Sequence, residues 1–178
     1  MIVTLIGYRG CGKSSVGPIL ADMLGCLCVD SDDRIETAAG KSIAEIFKHD
    51  GEAAFRRLET NILTDLLTQP DGVIASGGGA ILADANRKNM QAAGPVVWLK
   101  ASAETLATRI GGDVTSQARR PSLTGKSIQE EVEDVLEKRT PLYKDCATIQ
   151  ITTEGYSPAE LATTIHDMLK RLRSGVSQ

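Results

Sequence analysis

Residues 7–14 read Gly7-Tyr8-Arg9-Gly10-Cys11-Gly12-Lys13-Ser14, a complete G-x-x-x-x-G-K-S pattern. The apolar run Ile2–Ile6 precedes the pattern, and a helix-like segment follows it. In such a loop the glycines turn successive backbone N–H groups toward one point, Lys13 adds a cation for the β- and γ-phosphates, and Ser14 offers a hydroxyl to Mg²⁺. Because strand, glycine loop and helix come in the order that this mechanism needs, the pattern predicts a phosphate-binding loop for a nucleoside triphosphate.

Length and charge limit the classes of protein that this chain fits. A chain of 178 residues is long enough for one well-packed core and short for two, so we expect a single domain over 1–178. The net charge of −3 is small and neither sign forms long blocks, which argues against a nucleic-acid partner and favours a small-molecule acceptor. The sequence shows no signal-peptide pattern and no membrane-spanning stretch, so we expect a cytoplasmic protein without a membrane partner. The helical faces carry no obvious unpaired apolar stripe, so we expect a monomer.

Short apolar or β-branched runs alternate with helical patterns along the chain. Five runs read as strands: Ile2–Ile6, Leu27–Val29, Val73–Ala75, Val96–Leu99 and Thr148–Ile151. Their spacing leaves room for helices between them, which predicts an α/β protein with a mostly parallel sheet buried on both faces. In such sheets ligands bind at the carboxyl ends of the strands.

Acidic residues and glycines follow the second and third predicted strands. Asp30 and Asp32 come directly after one strand, and a Gly77-Gly78-Gly79 run comes shortly after the next. A turn after the strand would point one carboxylate at a metal ion and the other at an acceptor hydroxyl, which phosphoryl transfer requires. The alternative is that Asp30 or Ser31 only caps the following helix.

Two arginines are candidates for binding an anionic acceptor. Arg56 lies in a predicted helix over Gly51–Leu67, where Glu59 shares its face and is positioned to brace the guanidinium. Arg139 directly follows a predicted helix over Ile128–Lys138 and precedes a Thr-Pro pair. A braced guanidinium suits bidentate binding of a carboxylate, although a single arginine is more often a solvated surface residue.

A polar, glycine-bounded stretch over about 111–125 separates two of the predicted helices. It includes the pair Arg119-Arg120. A loop of this length in a compact domain is typical of a mobile lid, and the arginines would give the lid a phosphate to close on. A solvated surface loop is the alternative.

These features together resemble the shikimate kinase family. The resemblance covers nearly the whole chain. It is carried by the phosphate loop and by the motifs Asp30-Ser31-Asp32, Ile35-Glu36, Gly40-Lys41-Ser42-Ile43-Ala44-Glu45-Ile46-Phe47, Gly51-Glu52-Ala53-Ala54-Phe55-Arg56, Gly77-Gly78-Gly79, Arg120-Pro121 and Arg139-Thr140-Pro141-Leu142-Tyr143.

The resemblance implies a fold and an activity. The fold is a three-layer α/β/α P-loop kinase fold with a five-stranded parallel sheet in the order 2-3-1-4-5, acceptor-binding helices over about 31–60 and a mobile lid. The activity is ATP-dependent phosphorylation of the 3-hydroxyl of shikimate, which gives shikimate 3-phosphate and ADP in the chorismate pathway of aromatic amino acid biosynthesis. One Mg²⁺ per subunit is the implied cofactor, and ATP is the co-substrate.

The resemblance also implies a role for individual residues. The implied ATP contacts are Gly10, Cys11, Gly12, Lys13, Ser14, Ser15, Arg109, Arg120, Ser157 and Pro158. The implied shikimate contacts are Asp32, Arg56, Gly77, Gly78, Gly79 and Arg139. The implied metal ligands are Ser14 and Asp30, and the implied catalytic residues are Asp32, Lys13 and Arg120.

Two other functions remain open from the residues themselves. A gluconate-type small-molecule kinase would share the sheet and the phosphate loop and would also take a sugar-like acid. A non-catalytic nucleotide-binding module would bind ATP, but it gives no reason for Asp32, Arg56 and Arg139 to occur together. The sequence departs from the family pattern at Tyr156, where a basic residue is common near the adenine loop.

Overall fold

A parallel sheet forms the centre of the molecule. The computed structural model describes residues 1–112 and 127–174. The strands are β1 (Ile2–Ile6), β2 (Cys28–Asp30), β3 (Gly72–Ala75), β4 (Val96–Lys100) and β5 (Ile149–Thr152). All neighbouring strands run parallel, in the order β2-β3-β1-β4-β5. This confirms the predicted sheet and strand order, and the predicted strand ends differ from the observed ones by at most one residue.

Helices connect the strands and cover both faces of the sheet. They are α1 (Lys13–Leu24), α2 (Ser31–Ala39), α3 (Ile43–His49), α4 (Gly51–Leu67), α5 (Asp84–Ala93), α6 (Ala103–Gly111), α7 (Ile128–Cys146) and α8 (Pro158–Arg173), with a 3-10 turn at Ala80–Leu82. Alternate residues of β1 belong to different cores, as the two-residue period of a strand requires. Leu5 packs into one core with Leu20, whereas Ile6 packs into the other with Met90. The central strand β1 is therefore buried on both faces, as a three-layer arrangement requires.

A third, smaller core lies among α2, α3 and α4. Ile35, Ile43, Ile46 and Phe55 are all buried there, and the rings of Phe47 and Phe55 are 4.7 Å apart. Burial of these side chains packs the three helices against one another. This cluster fixes the position of α4. The next residue of that helix, Arg56, then lies against Gly79, in the loop that follows β3.

Part of the predicted lid falls outside the residues that the structure describes. The predicted lid over 111–125 lies outside the described residues from residue 113 onward, and Arg120 lies there with it. Across residues 1–112 and 127–174, no helix combines the length and apolar character needed to cross a membrane.

Prolines lie inside two of the helices. Pro18 falls within α1 and Pro141 within α7. The sequence predicted that α7 would stop at Lys138, and that boundary is wrong. The helix continues because Tyr143 and Cys146, beyond the proline, are fully buried against the core. Tertiary packing therefore outweighs the loss of one helical hydrogen bond at Pro141.

Replacing Pro141 by alanine tests this balance. Pro141 is exposed, so Pro141→Ala restores a helical donor without opening a cavity. We expect a gain of about 1–2 kcal/mol in the free energy of unfolding, because relief of the helix penalty exceeds the added entropy of the unfolded chain. Urea denaturation measures it, with the exposed Lys144→Ala on the same helix as the control. A loss of stability in Pro141→Ala would contradict the interpretation.

Candidate active site

The predicted phosphate loop joins β1 to α1. Its backbone turns through positive φ angles at Gly10 (79°) and Gly12 (103°), which side-chain-bearing residues rarely adopt. Lys13 begins α1, and its ammonium donates to the carbonyl oxygens of Gly7 at 2.8 Å and Tyr8 at 3.1 Å. The cation is thus held over the loop, next to the N-terminal end of a helix dipole.

Asp30 has two functions at the end of β2. Its Oδ1 accepts from the backbone N–H of Asp32 at 2.9 Å and so caps α2. Its Oδ2 accepts from the hydroxyl of Ser14 at 3.0 Å. Asp30 therefore does cap the following helix, as the alternative predicted. Its second oxygen, however, also faces the phosphate loop. A hydroxyl and a carboxylate are hard oxygen donors of the kind that Mg²⁺ prefers.

Asp32 is separated from Asp30 by the start of α2. It lies in the first turn of that helix and lines the same cleft as Lys13. Its Oδ1 is close to the glycine run, since a Cβ added to Gly77 would meet that oxygen at 2.6 Å. Ser31, between the two aspartates, accepts a hydrogen bond from the backbone N–H of Gly77 at 2.9 Å. The two carboxylates therefore point to different parts of the site.

Arg56 is braced by two carboxylates of its own helix. Its Nη1 donates to Glu59 at 2.7 Å, and its Nη2 donates to Glu52 at 3.3 Å. Glu59 is only 2% exposed, whereas Glu52 is 66% exposed. The guanidinium occupies space that only a glycine leaves open, because a Cβ on Gly79 would lie 2.6 Å from Nη1. The i, i+3 pairing that the sequence indicated is thus the shorter and more buried contact.

Arg139 approaches the same glycine run from α7. Its Nη1 donates to the carbonyl oxygen of Gly78 at 3.0 Å, and the hydroxyl of Tyr143 donates to the same oxygen at 2.6 Å. Its guanidinium also lies 6.0 Å from the ring centroid of Tyr8. Arg56 and Arg139, far apart in sequence, therefore both contact the loop that follows β3.

Arg109 lies at the other end of the site. Its Nη1 donates to the carbonyl oxygen of Gly10 at 3.3 Å and to the hydroxyl of Thr153 at 3.1 Å. Pro158 lines the cleft nearby, while the side chain of Ser157 caps α8 in a reciprocal pair with Glu160. Ser157 is thus engaged in the fold, and Pro158 faces the cleft.

One cleft of about 490 Å³ joins most of these groups. Among the residues that the structure describes, its lining includes six predicted positions of the phosphate loop, from Gly10 to Ser15, together with Asp30, Asp32, Gly78, Arg109 and Pro158. Arg56, Arg139, Gly77, Gly79 and Ser157 are not part of that lining. The first four belong to the glycine run or contact it, so they adjoin the cleft at Gly78.

Some residues of the site were not predicted from the sequence. Thr153 and Leu161 line the cleft without having been assigned to it, and Tyr156, noted only as a departure near the adenine loop, lines it as well. Thr153 directly follows β5, so the strand-end rule would have found it had the rule been applied to the last strand. Ser31 was considered only as a cap, and its bond to Gly77 depends on tertiary structure that no sequence spacing reveals.

Comparison with known proteins identifies the family. The family model described as shikimate kinase matches residues 9–170. The chain belongs to the shikimate kinase family. A curated shikimate kinase of Rhodopirellula baltica is 45% identical over 174 residues, which cover 98% of this chain and 91% of that protein. The resemblance drawn from the motifs is thereby confirmed.

Solved structures of the shikimate kinase family share the architecture. A shikimate kinase of Acinetobacter baumannii in complex with shikimate superimposes with a TM-score of 0.90 at 34% identity, over 97% of this chain and 94% of that one. A gluconokinase of Sinorhizobium meliloti has a TM-score of 0.59 at 18% identity, over 97% of this chain and 93% of that one. The second likeness shows only that the fold is shared.

The double engagement of Asp30 predicts different effects for two substitutions. Asparagine is as good an N-cap as aspartate, so Asp30→Asn should keep the free energy of unfolding within about 0.5 kcal/mol of the original chain. Asp30→Ala removes the cap and should cost about 1 kcal/mol. Urea denaturation of both variants measures the difference. Equal losses in the two variants would mean that the charge on Asp30, rather than its cap, stabilises α2.

Proposed function

We propose that this chain transfers the γ-phosphoryl group of ATP to the 3-hydroxyl of shikimate, giving shikimate 3-phosphate and ADP. The observation that carries the proposal is that two groups of residues meet at Gly78. The phosphate half, made of the phosphate loop and Asp30, lines the cleft together with Gly78 and Asp32. The acceptor half, made of Asp32, Arg56 and Arg139, lies against the glycine run. Membership of the shikimate kinase family supports the same assignment. The product belongs to the chorismate route of aromatic amino acid biosynthesis.

The phosphate half binds ATP through backbone and cationic groups. The N–H groups from Gly10 to Ser15 and the ammonium of Lys13 hold the phosphates. Arg109 lies beside the carbonyl of Gly10 at the far end of the cleft, where it contacts the nucleoside. Ser157 and Pro158 begin the last helix at this end and complete the adenine side. These contacts hold the γ-phosphoryl group at the acceptor end of the cleft.

Ser14 and Asp30 hold one Mg²⁺ in this proposal. Their oxygens are 3.0 Å apart and both residues line the cleft, so the donor set fits a hard divalent cation. The ion, when bound, neutralises charge on the phosphates. Asp30 stays oriented because its other oxygen caps α2.

The acceptor half orients shikimate. The carboxylate of Asp32 accepts the proton of the 3-hydroxyl as phosphoryl transfer proceeds, and the guanidinium groups of Arg56 and Arg139 bind the carboxylate of the ring. Gly77, Gly78 and Gly79 let the ring approach their backbone closely. Positioning of this kind provides most of the rate enhancement in phosphoryl transfer.

Further parts of the proposal come from sequence alone. Arg120 closes onto the phosphates with the lid over 111–125. Arg120 lies outside the described residues, as does the lid from residue 113 onward. We also propose that the chain works as a cytoplasmic monomer with a single domain, and that shikimate and ATP are its partners rather than nucleic acid or membrane.

A coupled ADP-release assay with shikimate, ATP and Mg²⁺ tests the function. We expect turnover with shikimate and much weaker turnover with gluconate and nucleoside monophosphates, which lack the matching arrangement of carboxylate and ring hydroxyls. Preference for gluconate would favour the gluconate-type kinase instead. ATP binding without turnover on any acceptor would favour a non-catalytic nucleotide-binding module.

The two carboxylates beside Arg56 predict unequal effects on the acceptor. Glu59→Gln weakens the short, buried contact, so the guanidinium loses its orientation toward the carboxylate of shikimate. We expect a rise of about five- to tenfold in the KM for shikimate, the equivalent of about 1 kcal/mol, with the KM for ATP unchanged. Initial rates at varied shikimate and varied ATP provide both constants.

Glu52→Gln is the matched control for this experiment. It makes the same chemical change on the same helix and against the same guanidinium, but Glu52 is exposed and its contact is longer. Solvent screening makes such a contact weak, so its KM values should stay within about twofold of the original chain. Equal effects of the two substitutions would contradict the bracing role of Glu59.

A further inference from the structure

The carbonyl oxygen of Gly78 accepts two hydrogen bonds from one helix. Arg139 Nη1 donates at 3.0 Å and Tyr143 Oη at 2.6 Å, and the two residues lie one turn apart on α7. A carbonyl has two lone pairs, so both bonds form without competition. The bond from Arg139 alone would give the carbonyl oxygen of Gly78 a hydrogen-bond donor. The carbonyl therefore does not need a second donor, and the hydroxyl of Tyr143 has a different effect.

The ring of Tyr143 is held in place by packing as well as by its hydroxyl bond. Its side chain is 0% exposed and stacks on Trp98 with ring centroids 5.5 Å apart and planes 19° apart. Burial raises the pKa of the phenol well above its ordinary value, so the hydroxyl remains a donor at any working pH. The ring thus aims a permanent donor at Gly78.

A core role for the ring does not account for the hydroxyl. A phenylalanine would fill the same space and stack on Trp98 equally well. Burying a hydroxyl costs free energy that its hydrogen bond must offset, so the polar group gives the core no advantage. Its effect falls on the loop that it contacts.

Gly78 is the point at which that loop touches the phosphate loop. A Cβ added to Gly78 would lie 3.3 Å from the carbonyl oxygen of Gly7 and 3.4 Å from the N–H nitrogen of Arg9. The chain just before Gly78 is also held, because the N–H of Gly77 donates to the hydroxyl of Ser31 at 2.9 Å. A rotation of the peptide after Gly78 would move the acceptor of Arg139 and turn the guanidinium with it.

We propose that Tyr143 is a positioning residue for the acceptor site. Its hydroxyl fixes the direction of the Gly78 carbonyl, and that carbonyl in turn aims the guanidinium of Arg139 at the carboxylate of the acceptor. The inference rests on the function proposed above, in which Arg139 binds that carboxylate.

Tyr143→Phe tests the inference, because it keeps the ring and removes only the hydroxyl. We expect the KM for shikimate to rise about five- to tenfold, as for loss of one oriented hydrogen bond, while kcat and the KM for ATP stay within about twofold. Thr163→Val is the control, because it removes an exposed hydroxyl that also donates to a backbone carbonyl, that of Ala159 at 2.9 Å, on a residue outside the lining of the cleft. Thermal unfolding of each variant monitors the fold.

A second variant asks whether Tyr143 acts through Arg139. Arg139→Lys keeps the charge but loses the forked geometry that Gly78 orients. In that background Tyr143→Phe should change the KM for shikimate less than twofold, because the group that it positions is gone. Equal effects in both backgrounds would show that Tyr143 acts independently of Arg139 and would overturn the proposal.

Other outcomes also decide the question. An unchanged KM for shikimate in Tyr143→Phe overturns the positioning role. So does a variant that fails to fold or that loses affinity for ATP and shikimate equally, since the hydroxyl would then be supporting the fold. The unsubstituted chain is assayed beside the variants. Absence of turnover in it would reject the proposed function and the positioning role with it, whereas an active chain with an unaffected variant rejects the positioning role alone.

Discussion

The site depends on three consecutive residues that have no side chain. A Cβ on Gly77 would meet Asp32 at 2.6 Å, and one on Gly79 would meet Arg56 at 2.6 Å. A Cβ on Gly78 would lie 3.3 Å from the carbonyl oxygen of Gly7, in the backbone of the phosphate loop. Each glycine therefore makes room for a different part of the site. Real Cβ atoms essentially never come within 3.0 Å of another atom, so a side chain at position 77 or 79 would displace the Asp32 carboxylate or the Arg56 guanidinium. A side chain at position 78 would require the phosphate loop to shift by a few tenths of an ångström.

Two helices hold the glycine run from opposite ends. Ser31, at the start of α2, accepts from the N–H of Gly77, and α7 donates to the carbonyl of Gly78 through two side chains. The same start of α2 is capped by Asp30, whose other oxygen binds the hydroxyl of Ser14. Hydrogen bonds through the start of α2 thus connect the phosphate loop to the glycine run. The two loops are parts of one bonded unit, and the fold fixes the distance between them.

The features that sequence predicts here are those set by local chemistry. The G-x-x-x-x-G-K-S pattern, the five strands, their order through the family resemblance, and the face shared by Arg56 and Glu59 all follow from spacing or motif. The contacts made across the fold could not be predicted in this way. The sequence predicted that α7 stops before Pro141, because a proline usually ends a helix. Burial of Tyr143 carries the helix past the proline, so the i, i+4 relation between Arg139 and Tyr143 could not be predicted. The bond from Gly77 to Ser31 joins residues 46 positions apart, and local pattern carries no information about it.

The two arginines that lie against the glycine run are electrostatically different. Arg56 contacts Glu59 and Glu52, so much of its charge is offset before any substrate arrives. Arg139 donates to a neutral carbonyl, which orients the guanidinium without cancelling its charge. In the function proposed above, attraction of the anionic acceptor would therefore come mainly from Arg139, while the rigidly braced Arg56 would supply geometry. This division gives a physical reason for orienting Arg139 through a carbonyl rather than a carboxylate. A carboxylate in that position would hold the guanidinium equally well but would compete with the substrate for it.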